Sequence, residues 1–140
     1  MDGMDGKTLI VGPSASTELL AFDLAEDGVP SNRRVYVQLP QGCMTNGMYV
    51  DSEGVVWAAS PVSNEFLHLG RDGAITNRVS TGGGHAITCM LGRENLKTLY
   101  CMAAANMNLS HSAEMLLGQV ETLYVSVRGL ANGSARLFAY

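Results

Sequence analysis

An imperfect internal repeat constrains this chain more than any other feature. The run "DGKTLIVGPSASTELLAFDLAEDG" (5–28) aligns with "SEGVVWAASPVSNEFLHLGRDG" (52–73), so Gly6 and Gly54 lie 48 positions apart, and Gly28 and Gly73 lie 45 apart. A third copy starts near "RENLKTLYCMAA" (93–104) and continues to "GQVETLYVSV" (118–127). A period of about 45 residues that holds several strands is the pattern of propeller blades.

The strands read in sets. "TLIVGP", "ELLAFDL" and "RRVYVQL" come first, each rich in β-formers and bounded by turn residues. "GMYVD", "VVWAAS", "EFLHLG" and "AITNRVS" form a complete set of four, and "AITCML", "TLYCMAA" and "GQVETLYVSV" form a last one. "ARLFAY" stands as a fourth strand of that last set or as an edge strand across a junction. The breaks "EG" and "DG" are hairpin signals. No segment carries a helical period; "HSAEMLLGQ" offers one or two turns at most. The expected fold is therefore all-β, a single half-propeller domain over 1–140 with blades at about 5–40, 43–80 and 84–140. The first set lacks the innermost strand that the other two possess.

Propellers close with roughly four to eight blades. Three blades leave two open radial faces of apolar surface, so a partner is expected, a second copy of the chain or else a truncated gene product. Composition agrees with a packed domain: 46% of residues are apolar and 16% charged. The net charge of -4 gives no basic footprint for nucleic acid. No apolar run approaches the ~20 residues that span a membrane. "MDGMDGKTL" has acidic residues where a signal peptide is cationic. Cys43, Cys89 and Cys101 are odd in number, lack metal-type spacing and lie in or beside apolar runs. They read as buried free thiols, which suits a reducing cytoplasm. The expected location is cytoplasmic.

Several spaced motifs resemble the senescence-marker-protein/gluconolactonase/luciferin-regenerating-enzyme family. "TNGMYVDSEGVVWAAS" is similar to its "PDG-x-x-x-D-x-EG-x-L/V-W-x-A" run. "DGKTLIVGPSASTELLAFDLAEDGVPSNRRVYVQLP" resembles the family's segment ending in "N-R-R-V", and "CMLGRENLKTLYCMAA" followed by "GQVETLYVSV" resembles its C-terminal end. The likeness covers roughly residues 5–127 and corresponds to the C-terminal half of a member.

What the resemblance implies is a six-bladed propeller with a divalent metal, usually calcium, at the channel mouth. A glutamate, a mid-chain asparagine and the aspartate of "PDG" would hold it, and lactones or related cyclic esters would be hydrolysed there. Only the aspartate's position is matched, seven residues before Glu53, and it holds Asn46. An amide ligates a cation without neutralising it and accepts no proton at neutral pH, so metal affinity falls and the general base is lost.

Alternating loops of a meander share a face, which gathers the candidate residues. Asn46 (metal) and His85 (substitute catalytic base) enter innermost strands in adjacent blades. The loops "GPSASTE" with Glu18, "SPVSNE" with Asn64, and "ANMNLSHSAE" with Asn106, Asn108 and His111 fall on the same side. Asn64, Asn106, Asn108 and His111 are the expected substrate-binding residues, suited to a small polar, hydroxylated ligand. Each has a plainer reading. Asn46–Gly47 is also a turn dipeptide, His85 ends a glycine run, and His111 sits between serines. "TGGGH" precedes no helix and makes a poor phosphate cradle. His68 lies inside a strand and reads as packed or surface structure, and Trp57 as a core residue. Two functions follow: a lactone or ester hydrolase, metal-assisted and assembled as a dimer, or a non-catalytic binding or interaction propeller.

Overall fold

The computed structural model describes residues 6–105, 118–129 and 137–139. Among them there is no helix, and eleven strands form three sheets. In the first sheet β1 (Thr8–Gly12), β2 (Glu18–Leu24) and β3 (Pro30–Gln38) form an antiparallel meander. The second is the meander β4 (Met48–Val50), β5 (Val56–Ser60), β6 (Glu65–Leu69) and β7 (Ile75–Ser80). The third contains β8 (His85–Gly92), β9 (Thr98–Ala104) and β10 (Gly118–Tyr124). The short strand β11 (Leu137–Ala139) does not extend the third sheet. It pairs parallel with β1, Ile10 opposite Leu137, and takes the place beside β1 that the first sequence set left empty.

Strand periodicity of two explains the packing. In β5 every residue of "VWAAS" is buried, because both faces of the second sheet are covered. Val56 and Ala58, with Leu67 and Leu69 of β6, pack on Ile10, Leu19 and Val37 of the first sheet. Trp57, Ala59 and Phe66 turn the other way, onto Ala86, Cys89, Leu91, Leu99 and Cys101 of the third. The outer sheets bury one face each. In β10 all seven residues are exposed.

A polar chain crosses the second sheet from Asp51, which follows β4, through His68 of β6 to the exposed Thr76 of β7. Asp51, at the end of β4, is fully buried, and its Oδ1 accepts the backbone N–H groups of Glu53 (2.9 Å) and Val55 (3.0 Å). Its Oδ2 accepts from His68 Nε2 of β6 at 2.9 Å. The Thr76 hydroxyl of β7 lies 2.7 Å from His68 Nδ1 and 3.1 Å from His68 O. Trp57 of β5 stacks on the imidazole, ring centroids 4.5 Å apart. The turn that aims Asp51 backwards needs Gly54 at φ 75°. His68 is thus a packed residue that crosslinks its sheet.

Cys43, Cys89 and Cys101 are free and buried. Cys89 and Cys101 face each other across β8 and β9. Burial, and then the neighbouring Glu121, pushes the Cys101 thiol up to about 11, and burial also pushes Cys89 up. A thiol raised in this way supports the fold fully below its ordinary value of 9.0, and that support is lost as pH rises through the folded value. The urea midpoint should therefore fall between pH 9.0 and about 11, and a Cys101→Ala variant should show a shallower fall. Equal slopes would show that Cys101 is not responsible.

Candidate functional site

A cleft of about 650 Å³ opens where the three sheets meet. Among the described residues it is lined by Ser14 and Ala15 of the β1–β2 loop, Met44, Thr45 and Asn46 before β4, Pro61 and Val62 of the β5–β6 loop, and His85 at the start of β8.

The segment before β4 is fixed from both sides. The buried Thr45 donates its hydroxyl to Pro13 O (2.8 Å) and its N–H to Ser16 O (2.9 Å), and Ala15 N–H returns to Thr45 O (3.0 Å). Asn46 N–H donates to Ala59 O at 2.9 Å, continuing the β4–β5 ladder. Gly47 N–H then crosses to Ile87 O of β8 at 2.7 Å. A side chain at Gly47 is excluded, since a Cβ there would meet Thr88 Oγ1 and would lie 2.6 Å from Thr88 Cα. Glycine lets two inner strands touch. Asn46 is therefore held by its backbone, and its amide side chain has no protein partner among the described residues.

His85 is fixed by one nitrogen. Its Nδ1 lies 2.9 Å from Pro61 O and 3.2 Å from the Asn64 amide nitrogen; in the neutral tautomer that donates Nδ1–H to the Pro61 carbonyl, Nε2 keeps its lone pair. The Asn64 amide, with its nitrogen turned toward the carbonyls, donates to the same Pro61 O at 2.9 Å and to Gly84 O at 3.3 Å. Asn64 adopts φ 56°, and Thr81 N–H donates to its carbonyl. It secures the His85 loop from behind and does not line the cleft.

The structure thus brings Asn46 and His85 to one cleft and puts Asn64 behind it. Asn106, Asn108 and His111 lie outside the described residues. Glu18 stands at the start of β2, its N–H on Ser16 Oγ, and is not a lining residue. Four lining residues that the sequence did not single out, Ala15, Met44, Pro61 and Val62, are apolar. The signal for them was weak, because an apolar residue in a polar loop is ordinary.

Residues 3–105 match the model of the SMP-30/gluconolactonase/LRE-like region. The chain belongs to this family. Solved structures agree in fold. A luciferin-regenerating enzyme superposes with a TM-score of 0.67 at 18% identity, over 88% of this chain and 46% of its own. A calcium-binding protein, regucalcin from Agrobacterium tumefaciens, gives 0.65 at 18% identity, over 87% and 46%. A structure assigned as a gluconolactonase gives 0.58 at 21%, over 89% and 40%. The chain spans about half the length of these structures, and its fold is of their propeller type.

The family implies a divalent metal. Calcium takes about six to eight oxygen ligands, several of them carboxylates. No carboxylate is among the described lining residues, and no group of three or more His, Cys, Asp or Glu side chains among the described residues is placed to hold a metal ion. Asn46, an uncharged amide beside an imidazole and apolar side chains, does not fit a hard cation. No helix of the described residues is long and apolar enough to cross a membrane.

Proposed function

We propose that this family member binds a small lactone or related ester in the cleft and hydrolyses it with His85 as general base. The observation that carries this reading is the imidazole at the cleft with Nδ1 2.9 Å from Pro61 O: in the tautomer that gives Nδ1–H to this carbonyl, Nε2 is the nitrogen left to accept a proton. The unengaged Asn46 amide supplies an N–H donor for the ester carbonyl oxygen, where negative charge develops. Water attacks the carbonyl carbon, Nε2 takes its proton, the acyl C–O bond breaks, and the proton passes to the departing alkoxide. The product is a hydroxy acid. A second reading, ligand binding without chemistry, is favoured by Asn46 itself, since an amide stands where the family pattern has its carboxylate.

The assembly belongs to the same proposal. On the outer face of the third sheet, Met90 is 49%, Val120 67% and Tyr124 68% exposed, with Tyr100 and Met102 between them in register. On the outer face of the first, Val35 is 50% exposed beside Leu20, with Leu9, Val11 and Phe22 adjoining. Two such apolar faces at opposite ends of a stack favour a head-to-tail pair of copies, each outer face on the partner's other one.

A panel of lactones assayed with and without calcium, manganese or zinc tests the chemistry. Hydrolysis that needs no added metal is expected. Silence across the panel would leave only the binding reading. Sedimentation should give twice the 14.9 kDa chain mass, and a folded monomer would refute the pairing.

A further inference from the structure

The cleft has a polar floor and an apolar wall. Four lining residues, Ala15, Met44, Pro61 and Val62, offer no polar side-chain atom. Met44 and Val62 are among the exposed large hydrophobics of the molecule, at 36% and 59%, and both face this one cavity. The polar side chains of the floor are partly spent. Thr45 is 1% exposed, with its hydroxyl given to Pro13 O and within reach of Ser16 O, and His85 Nδ1 is given to Pro61 O. The Asn46 amide, His85 Nε2 and the Ser14 hydroxyl are what remain among the described lining side chains.

Among the described residues, that inventory matches one ester group and little more. A sugar lactone carries a hydroxyl on nearly every carbon. Each hydroxyl pressed on Met44 or Val62 without a partner costs about tenfold or more in affinity. A hydrocarbon substituent against the same wall gains about fourfold per buried methylene. We infer that the site takes lactones or esters bearing an apolar substituent, alkyl or aryl, in preference to polyhydroxylated sugar lactones. The acyl head sits between Asn46 and His85, and the hydrocarbon lies along Met44, Pro61 and Val62. This rests on the placement of the ester proposed above and adds the identity of its substituent.

The test is a series of δ-lactones with alkyl chains of increasing length, set against glucono-δ-lactone, with the full chain. Hydrolysis is followed by acid release, and binding of the matching lactams by calorimetry. The expected result is a kcat/KM that climbs about fourfold for each of the first methylenes and exceeds that for the sugar lactone at least tenfold. A Met44→Ser/Val62→Ser double variant should flatten that climb. Equal or better use of the sugar lactone would overturn the inference and leave the hydrolase reading standing. Binding of alkyl lactams without turnover of any lactone would support the ligand class and overturn the hydrolysis. If no compound binds or reacts, both fall.

Discussion

Replacing Asp51 with alanine is expected to destabilise the protein by about 3 kcal/mol or more, because three donors lose their buried acceptor at once. The carboxylate is fully buried and satisfies three donors at once: the N–H groups of Glu53 and Val55, and His68 Nε2. Removing it strands those donors inside the protein, where each unsatisfied group costs about 1–3 kcal/mol. It also unclamps the β4–β5 turn, and with it the support on which Trp57 stacks over His68. The check is urea or thermal denaturation followed by far-UV circular dichroism. An Asp51→Asn variant, which keeps one acceptor oxygen, should fall between wild type and Asp51→Ala. A loss below about 1 kcal/mol for alanine would mean that water replaces the carboxylate and that the chain through His68 and Thr76 is incidental.

The second large effect concerns the cleft. Exchanging His85 for glutamine keeps a polar side chain of similar reach but removes the proton acceptor. If Nε2 is the general base, kcat/KM for a lactone substrate should drop by about 10²–10⁴, the usual contribution of such a group. The loss should lie mainly in kcat, because glutamine can still fill the space beside Asn46, and the unfolding midpoint should move little. A drop of less than about fivefold would remove His85 from the chemistry. Asn64 provides the contrast. It touches the His85 loop at Pro61 O and Gly84 O without lining the cleft, so Asn64→Ala should act by loosening His85. Its effect should be smaller and should shrink further in the His85→Gln background.

The strands were legible because both signals for them are local. β-Formers bounded by turn residues in "ELLAFDL" and "TLYCMAA" recover β2 and β9, and the "EG" break recovers the turn between β4 and β5. "VVWAAS" shows no alternation because both of its faces are covered. What stayed hidden depends on contacts between distant positions. Nothing near His68 announces that Asp51, 17 residues earlier, will meet its ring. The amides were the harder case. Asn64 and Asn46 look alike in sequence, yet the first, at φ 56°, braces a loop, while the second, tied by its backbone to Ala59 O, lines the cleft. The strand in "ARLFAY" was expected, but sequence left its neighbour open, and β11 joins β1 in the parallel sense.

Thr45, Asn46 and Gly47 form one short span tied in turn to the first sheet, the second and the third. Such a span acts as a keystone. The sheets cannot slide against one another without bending the backbone at Asn46, so the wall of the cleft is set by the same three residues that lock the sheets together.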